Sequence, residues 1–193
     1  MAADRLRDLI DLVLGSLDER GADGAALARR ALSDLRASER EHNDLADSLT
    51  VGRESATLAP LRWRKRPALA RYLRAAVHIE RATRNVRVLA RRTAAAVTDA
   101  EPVPEQLVES LETLADAVWT LREELATERE PTLARERALQ AVRTAGAAYR
   151  AGLGFSGSVV VAQLRGAVVD LLRATGIREE RADRLVETAS REE

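Results

Sequence analysis

From Leu107 to Leu125, the apolar residues Leu107, Leu111, Leu114, Val118, Leu121 and Leu125 recur at intervals of 4, 3, 4, 3 and 4. That spacing places all six on one narrow stripe of an α-helix, the seam of knobs-into-holes packing, and a strand would need alternation by two instead. A seam so narrow leaves the acidic side of this helix exposed. The same period runs through the rest of the chain. Leu6, Ile10, Val13 and Leu17 share a stripe over residues 3–19, with Gly21 and Gly24 marking the turn out of it. Ala28, Leu32, Leu35, His42, Ala46 and Leu49 share one over residues 25–55. Further helices are expected over 68–98, 131–150 and 158–175, with a short amphipathic one through Leu185 and Val186. No segment alternates and no internal repeat is present.

The breakers fix the boundaries. Pro60 and Pro67 bracket a basic, Trp-containing loop, and Pro67 suits the first turn of the helix that follows. Glu101-Pro-Val-Pro104 ends that helix and starts the leucine-seam helix. Gly176 is placed as a left-handed C-terminal cap with Ile177 as its hydrophobic partner, and Ser156 or Ser158 as the N-cap of the helix before it. The expected fold is therefore all-α, an elongated antiparallel bundle of about six helices in a single domain over residues 1–193. Within it, 1–57 form a first helical hairpin, 58–67 the basic loop, 68–176 the central helices and 177–193 the tail. Helices of about 30 residues reach about 45 Å at 1.5 Å per residue, which favours an elongated bundle over a ball.

Composition narrows the chemistry. Only Trp63, Tyr72, Trp119, Tyr149 and Phe155 are aromatic, so the core must come from Leu, Val and Ala. The absence of cysteine excludes disulfides, thiolate nucleophiles and cysteine-based zinc sites. No secretory leader pattern opens the chain, and no window of about 18 residues is free of charge, so a cytoplasmic location is expected. Net charge is zero but segregated. Residues 1–50 carry 11 acids and 7 bases; residues 62–92 carry 11 bases and the single acid Glu80; residues 93–130 carry 10 acids and 2 bases. Such a chain can neutralise itself by packing basic helix against acidic, or leave one face positive.

No catalytic constellation emerges, and no enzyme, cofactor or metal is expected. Gly152-Leu-Gly-Phe-Ser-Gly157 spells a dinucleotide fingerprint, but a helix precedes it where the fingerprint needs a strand, so it reads as an interhelical turn. His42 and His78 stand on different helices without ligand spacing and read as structural.

The helix over 68–98 carries more information. Leu69, Tyr72, Ala76, Ile79, Val86, Ala90 and Val97 form its main apolar face, while Leu73, Val77 and Val88 form a second strip that also holds Arg84 and Arg91. A helix apolar on two sides belongs in the middle of a bundle, where an arginine needs a partner. Asp170, on the polar strip of a nearly all-apolar helix, is the expected partner of Arg84 or Arg87. The alternative is a local Glu80–Arg84 pair with Asp170 solvated.

The loop residues Arg62, Trp63, Arg64, Lys65 and Arg66 have three readings: a solvated loop facing the protein's own acids, an anionic membrane surface, or nucleic acid. Nucleic acid ranks last, because no recognition fold accompanies the charges.

Three stretches, Leu61-Arg-Trp-Arg-Lys-Arg66, the segment from Glu80 to Arg92 and the segment from Val160 to Gly176, resemble the C-terminal soluble region of actinobacterial FUSC-type proteins. That family includes the fusaric acid resistance and aromatic acid exporters. The resemblance implies a cytoplasmic helical accessory domain that follows a transmembrane half, at the inner face of the membrane, partnered by its own copies or by a transporter half. It places Arg84, Asn85, Arg87, Asp170 and Arg173 at recurrent polar positions with a structural role. This sequence departs from the pattern in carrying no membrane half, as an excised domain or a stand-alone relative would. The alternative function is an effector-binding bundle whose glycine turn and interhelical arginines receive an aromatic or other carboxylate.

Overall fold

The computed structural model describes residues 2–18, Ser33 and 66–192. They form six helices and, among the described residues, no strand: α1 (Ala2–Asp18), α2 (Arg66–Thr98), α3 (Glu105–Ala126), α4 (Thr132–Ala151), α5 (Phe155–Ala174) and α6 (Glu179–Ala189). The helix expected over 25–55 lies outside the described residues, so the sixth helix here is the amphipathic one in the tail.

Each helix buries the face its sequence marks out. Leu6, Ile10, Val13 and Leu17 of α1 are buried, as are Leu107, Leu111, Leu114, Val118 and Leu121 of the α3 seam. Across from α3, α4 buries Ala134, Ala138, Ala141, Val142, Ala145 and Ala148. Leucines on one helix and alanines on its neighbour let the two approach closely while filling the space between them. The α3 acids Glu105, Glu109, Glu112 and Asp116 face solvent, as the narrow seam requires.

The helices close into a ring in which α1 touches α2, α2 touches α5, α5 touches α4, α4 touches α3, and α3 returns to α1. Paired residues give the directions. Asp4 meets Arg122 and Arg7 meets Trp119, so α1 and α3 are antiparallel. Arg137 meets Thr120 and Glu124 meets Ala134 across the α3–α4 hairpin. Asn85 meets Asp170 and Glu101 meets Ser156, which runs α2 against α5. The neighbours α1 and α2 point the same way as a consequence. The tail helix α6 lies against both α4 and α5.

The α5 helix is the hub, touching α2, α3, α4 and α6. By length and composition it is apolar enough to cross a membrane, and in this bundle half of that apolar stretch is buried. Val160, Val161, Leu164, Val168, Leu171 and Leu172 are all buried in the common core. The expectation for α2 needs correction. Among the described residues its partners are α1 and α5, which cover one broad face where Ile79, Ala82, Val86 and Leu89 are buried; of the second strip Leu73 and Val88 are half-buried and the other three residues are exposed. Val77 there is 44% exposed, Arg91 is exposed, and the Arg84 side chain is 70% exposed.

Helix ends follow two devices. Three C-termini close with the same pair of backbone bonds. After α5, Gly176 N–H donates to Arg173 O and Ile177 N–H to Leu172 O, with Gly176 at φ +94°, the cap that Gly176-Ile177 indicates. The chain repeats this after α2 through Ala100 (φ +50°) and after α3 through Glu128 (φ +54°), without a glycine. Two N-termini are capped from a distance. Pro131 and Gly154, the N-cap residues of α4 and α5, offer no side-chain cap, and carboxylates from elsewhere in the chain take the role. Buried Glu124 accepts the Leu133 and Ala134 N–H groups, and Glu101 accepts the Ser156 N–H. Neither Ser156 nor Ser158 is therefore the N-cap of α5. The helix starts at Phe155, three residues before the expected start, because Glu101 satisfies its first turn from outside.

Candidate functional site: a polar seam and an arginine-rimmed groove

Within the α2–α5 interface sits a compact group of polar side chains. Asn85 donates from Nδ2 to Asp170 Oδ2 at 3.2 Å, and His78 Nδ1 stands 4.0 Å from Asp170 Oδ1. Gly166, one turn before Asp170, makes room for the amide, since a Cβ there would lie 3.2 Å from Asn85 Nδ2. Arg173 continues the strip and pairs with Glu179 at the start of α6, 2.9 Å away. Burial pushes the Asp170 carboxyl up from its usual range, with Arg173 and Arg81 opposing that shift and Glu179 adding to it. Burial likewise pulls the His78 imidazole down, helped by the positive charges of Arg173 and Arg81 and opposed by Glu179. A neutral imidazole beside a carboxylate at 4.0 Å accepts no hydrogen bond from it, and His78 Nδ1 is buried without a hydrogen-bond partner.

Of the residues marked by sequence, the structure brings Asn85 and Asp170 together and leaves Arg84 apart. Arg84 pairs with Glu80 at 3.1 Å on the helix surface, as in the local alternative, but Asp170 is buried where that alternative had it solvated. It is the neutral amide one position on that reaches Asp170, because Asn85 faces α5 where Arg84 faces water. Arg87 is buried, at 8% exposure. The side chains of Arg62, Trp63, Arg64, Lys65 and Arg66, and the whole of His42, lie outside the described residues; Arg66 is placed only as the first residue of α2.

Residues that the sequence reading passed over are Glu101 and Glu124, the two trans caps. The signal available was the lack of a capping side chain at Pro131 and Gly154, but the identity of the donor depends on which helix ends meet in space. The glycine turn forms a tight link between α4 and α5, with Gly152 at φ +101°. A Cβ on Gly154 would lie 2.2 Å from Glu101 Oε2, so this glycine is what admits the cap.

The surface carries two further features. All three aromatic side chains that are described face outward: Trp119 is 42% exposed, Tyr149 62% and Phe155 70%. The guanidinium groups of Arg7 and Arg122 lie over the Trp119 ring, 5.2 and 4.7 Å from its centre, and that of Arg92 lies 5.4 Å from the ring centre of Phe155. Between α4 and α6 runs an open groove of about 340 Å³, floored by Leu139, Leu185 and Ala189 and rimmed by Arg143, Arg181 and Arg184. Among the described residues, no group of three or more His, Asp or Glu is placed to hold a metal ion.

An uncharacterized protein of Corynebacterium glutamicum is 29% identical over 167 residues, covering 83% of this chain and 43% of its own length. The chain thus spans less than half the length of that curated relative. No family model matches the chain, and no solved structure matches it.

Proposed function

We propose that this chain is a non-catalytic helical accessory domain of an exporter-type membrane protein, working at the inner face of the membrane through helix–helix or lipid contacts. The observation that supports it is the inversion of aromatic placement. The described core is aliphatic, while Trp119, Tyr149 and Phe155 are exposed, two of them beside arginines. Aromatic and arginine side chains dominate the energetics of protein interfaces and also favour the edge of a lipid bilayer. The relative of Corynebacterium glutamicum, with more than half its length outside the matched region, accords with a domain of this kind.

Geometry constrains the lipid reading. The basic segment 62–66 leads into the first residue of α2, while Phe155 lies against Arg92 near the other end of that helix. The 26 residue steps from Arg66 to Arg92 correspond to about 39 Å of helix. The first residue of α2 and the Phe155–Arg92 contact therefore stand at opposite ends of that helix, and either end is a candidate for the lipid contact. Cosedimentation with phosphatidylglycerol vesicles separates the cases. Binding at low salt that is lost at high salt, and lost on Arg64→Glu with Lys65→Glu, assigns the basic segment. Binding that survives those changes but is lost on Phe155→Ser assigns the aromatic end. Full retention of the wild type in the supernatant at low salt rejects the lipid contact.

A second reading, an effector-binding bundle that takes an aromatic or other carboxylate, is favoured by the arginine-rimmed groove between α4 and α6. A thermal shift against a panel of aromatic and aliphatic acids tests it, with about 2.7 kcal/mol of stabilisation expected at a hundredfold excess over Kd.

A further inference from the structure

The groove between α4 and α6 already contains a carboxylate. Beyond the end of α6 the chain turns back, and Glu192 Oε2 accepts a hydrogen bond from Arg143 Nε at 2.6 Å. Gln140, one turn earlier on α4, accepts a second bond from Arg143 through its Nη1 at 3.3 Å, which steadies the guanidinium. Arg181 and Arg184 stand exposed at the opposite rim. Three arginines and one carboxylate, of which Arg143 and Glu192 are paired, thus line a groove with Leu139, Leu185 and Ala189 as its apolar part. A guanidinium held in place matches the two oxygens of a carboxylate, and an apolar floor next to it accepts a hydrocarbon body.

We propose that this groove is a binding site for a small amphipathic carboxylate, with the Glu192 side chain as its built-in competitor. The hydrocarbon part of the ligand lies on Leu139, Leu185 and Ala189. Its carboxylate displaces that of Glu192 from Arg143 and draws in Arg181 or Arg184. The size of the groove sets the class: about 340 Å³ is at the lower end of the range for small-molecule sites, which suits a single-ring aromatic acid or a medium-chain fatty acid. The sign of the rim selects acids over amines. A side chain tethered next to its binding partner competes at a high effective concentration, so the intact chain binds weakly and its affinity depends on whether Glu192 is in place. Ligand entry then frees the Glu192 side chain, while Ser190 and Arg191 keep their own bonds to the end of α6. This inference rests on the effector-binding reading and names its site and ligand class.

Isothermal titration of the full chain with octanoate and benzoate tests it, with octylamine as the control. Glu192→Gln is expected to tighten octanoate binding, and Arg143→Gln to weaken it by at least about tenfold, the equivalent of one charge-assisted hydrogen bond. Arg184→Gln, an exposed change that leaves the core untouched, is expected to weaken it as well. Octylamine is expected not to bind. Octanoate affinity that is unchanged by all three substitutions overturns the groove assignment while leaving effector binding in place. Failure of every acid in the broader thermal-shift panel to stabilise the chain, wild type and Glu192→Gln alike, overturns both.

Discussion

Glu101 and Ser156 are joined twice: one carboxylate oxygen accepts the Ser156 backbone N–H at 2.9 Å, and the other accepts its hydroxyl at 2.9 Å. This single side chain, from the link between α2 and α3, fixes the start of α5 and ties the two most extensively paired helices at their ends. A carboxylate at a helix N-terminus also meets the positive end of the helix dipole. Glu101→Ala is expected to destabilise the fold by about 1–2 kcal/mol, the usual cost of a lost N-cap. Gly154→Ala, which pushes the carboxylate away, is expected to approach the same cost. Combined with Glu101→Ala, it is expected to add less than it costs alone, since of the atoms in its way only the Glu101 Cβ at 3.0 Å remains. Urea denaturation of the four proteins measures the coupling.

Ala100 and Glu128 hold left-handed backbone where Gly176 does so without strain. A side chain costs about 1–2 kcal/mol in that region, and a new glycine returns roughly 0.4–1 kcal/mol of freedom to the unfolded chain. Ala100→Gly and Glu128→Gly are each expected to stabilise the fold by about 0.5–1 kcal/mol. Gly176→Ala is expected to do the reverse. Thermal melts of the three variants check the signs.

Asn85 and Gly166 are matched in shape. Asn85→Ala removes the hydrogen bond that Asp170 accepts and is expected to cost about 1–3 kcal/mol, since a buried carboxylate loses a donor. Gly166→Ala presses on the amide from 3.2 Å and is expected to destabilise as well. The double variant is expected to cost less than the sum, because the smaller side chain at position 85 vacates the space the new methyl group needs. Additive costs in chemical denaturation would contradict this packing.

His78 makes stability depend on pH near neutrality. Burial and the neighbouring Arg173 and Arg81 hold its folded-state pKa below the 6.5 of the unfolded chain, against the opposing pull of Glu179. Between those two values the unfolded chain binds more protons than the folded one, so stability falls as pH drops through 6.5. Asp170 has the opposite sign. Its raised pKa means the folded chain binds its proton first, so stability from this group is regained only at lower pH, towards 3.8. His78→Gln is therefore expected to flatten the stability profile between pH 7.5 and 5.5, which denaturation at a series of pH values reads directly. An unchanged slope would remove His78 from the account.

The sequence alone determined the helices and most of their buried faces. The spacing of Leu107 to Leu121 and of Leu6 to Leu17 specifies which side of α3 and of α1 is dry, because local backbone geometry turns a period of 3.6 residues into one face. Gly176 and Ile177 could be assigned for the same reason: a C-cap is made by neighbours in the chain. What faces what was settled only in three dimensions. Periodicity marks Leu73, Val77, Val88, Arg84 and Arg91 as a second strip of α2, but cannot tell which of them a neighbour covers, and here Leu73 and Val88 are half-buried while the other three are exposed. The partner of Asp170 proved to be Asn85, and the caps of α4 and α5 proved to be Glu124 and Glu101. Each of these depends on contacts between residues 10 to 85 positions apart, brought together by the packing of apolar faces that carry no information about which polar groups will meet at their edges.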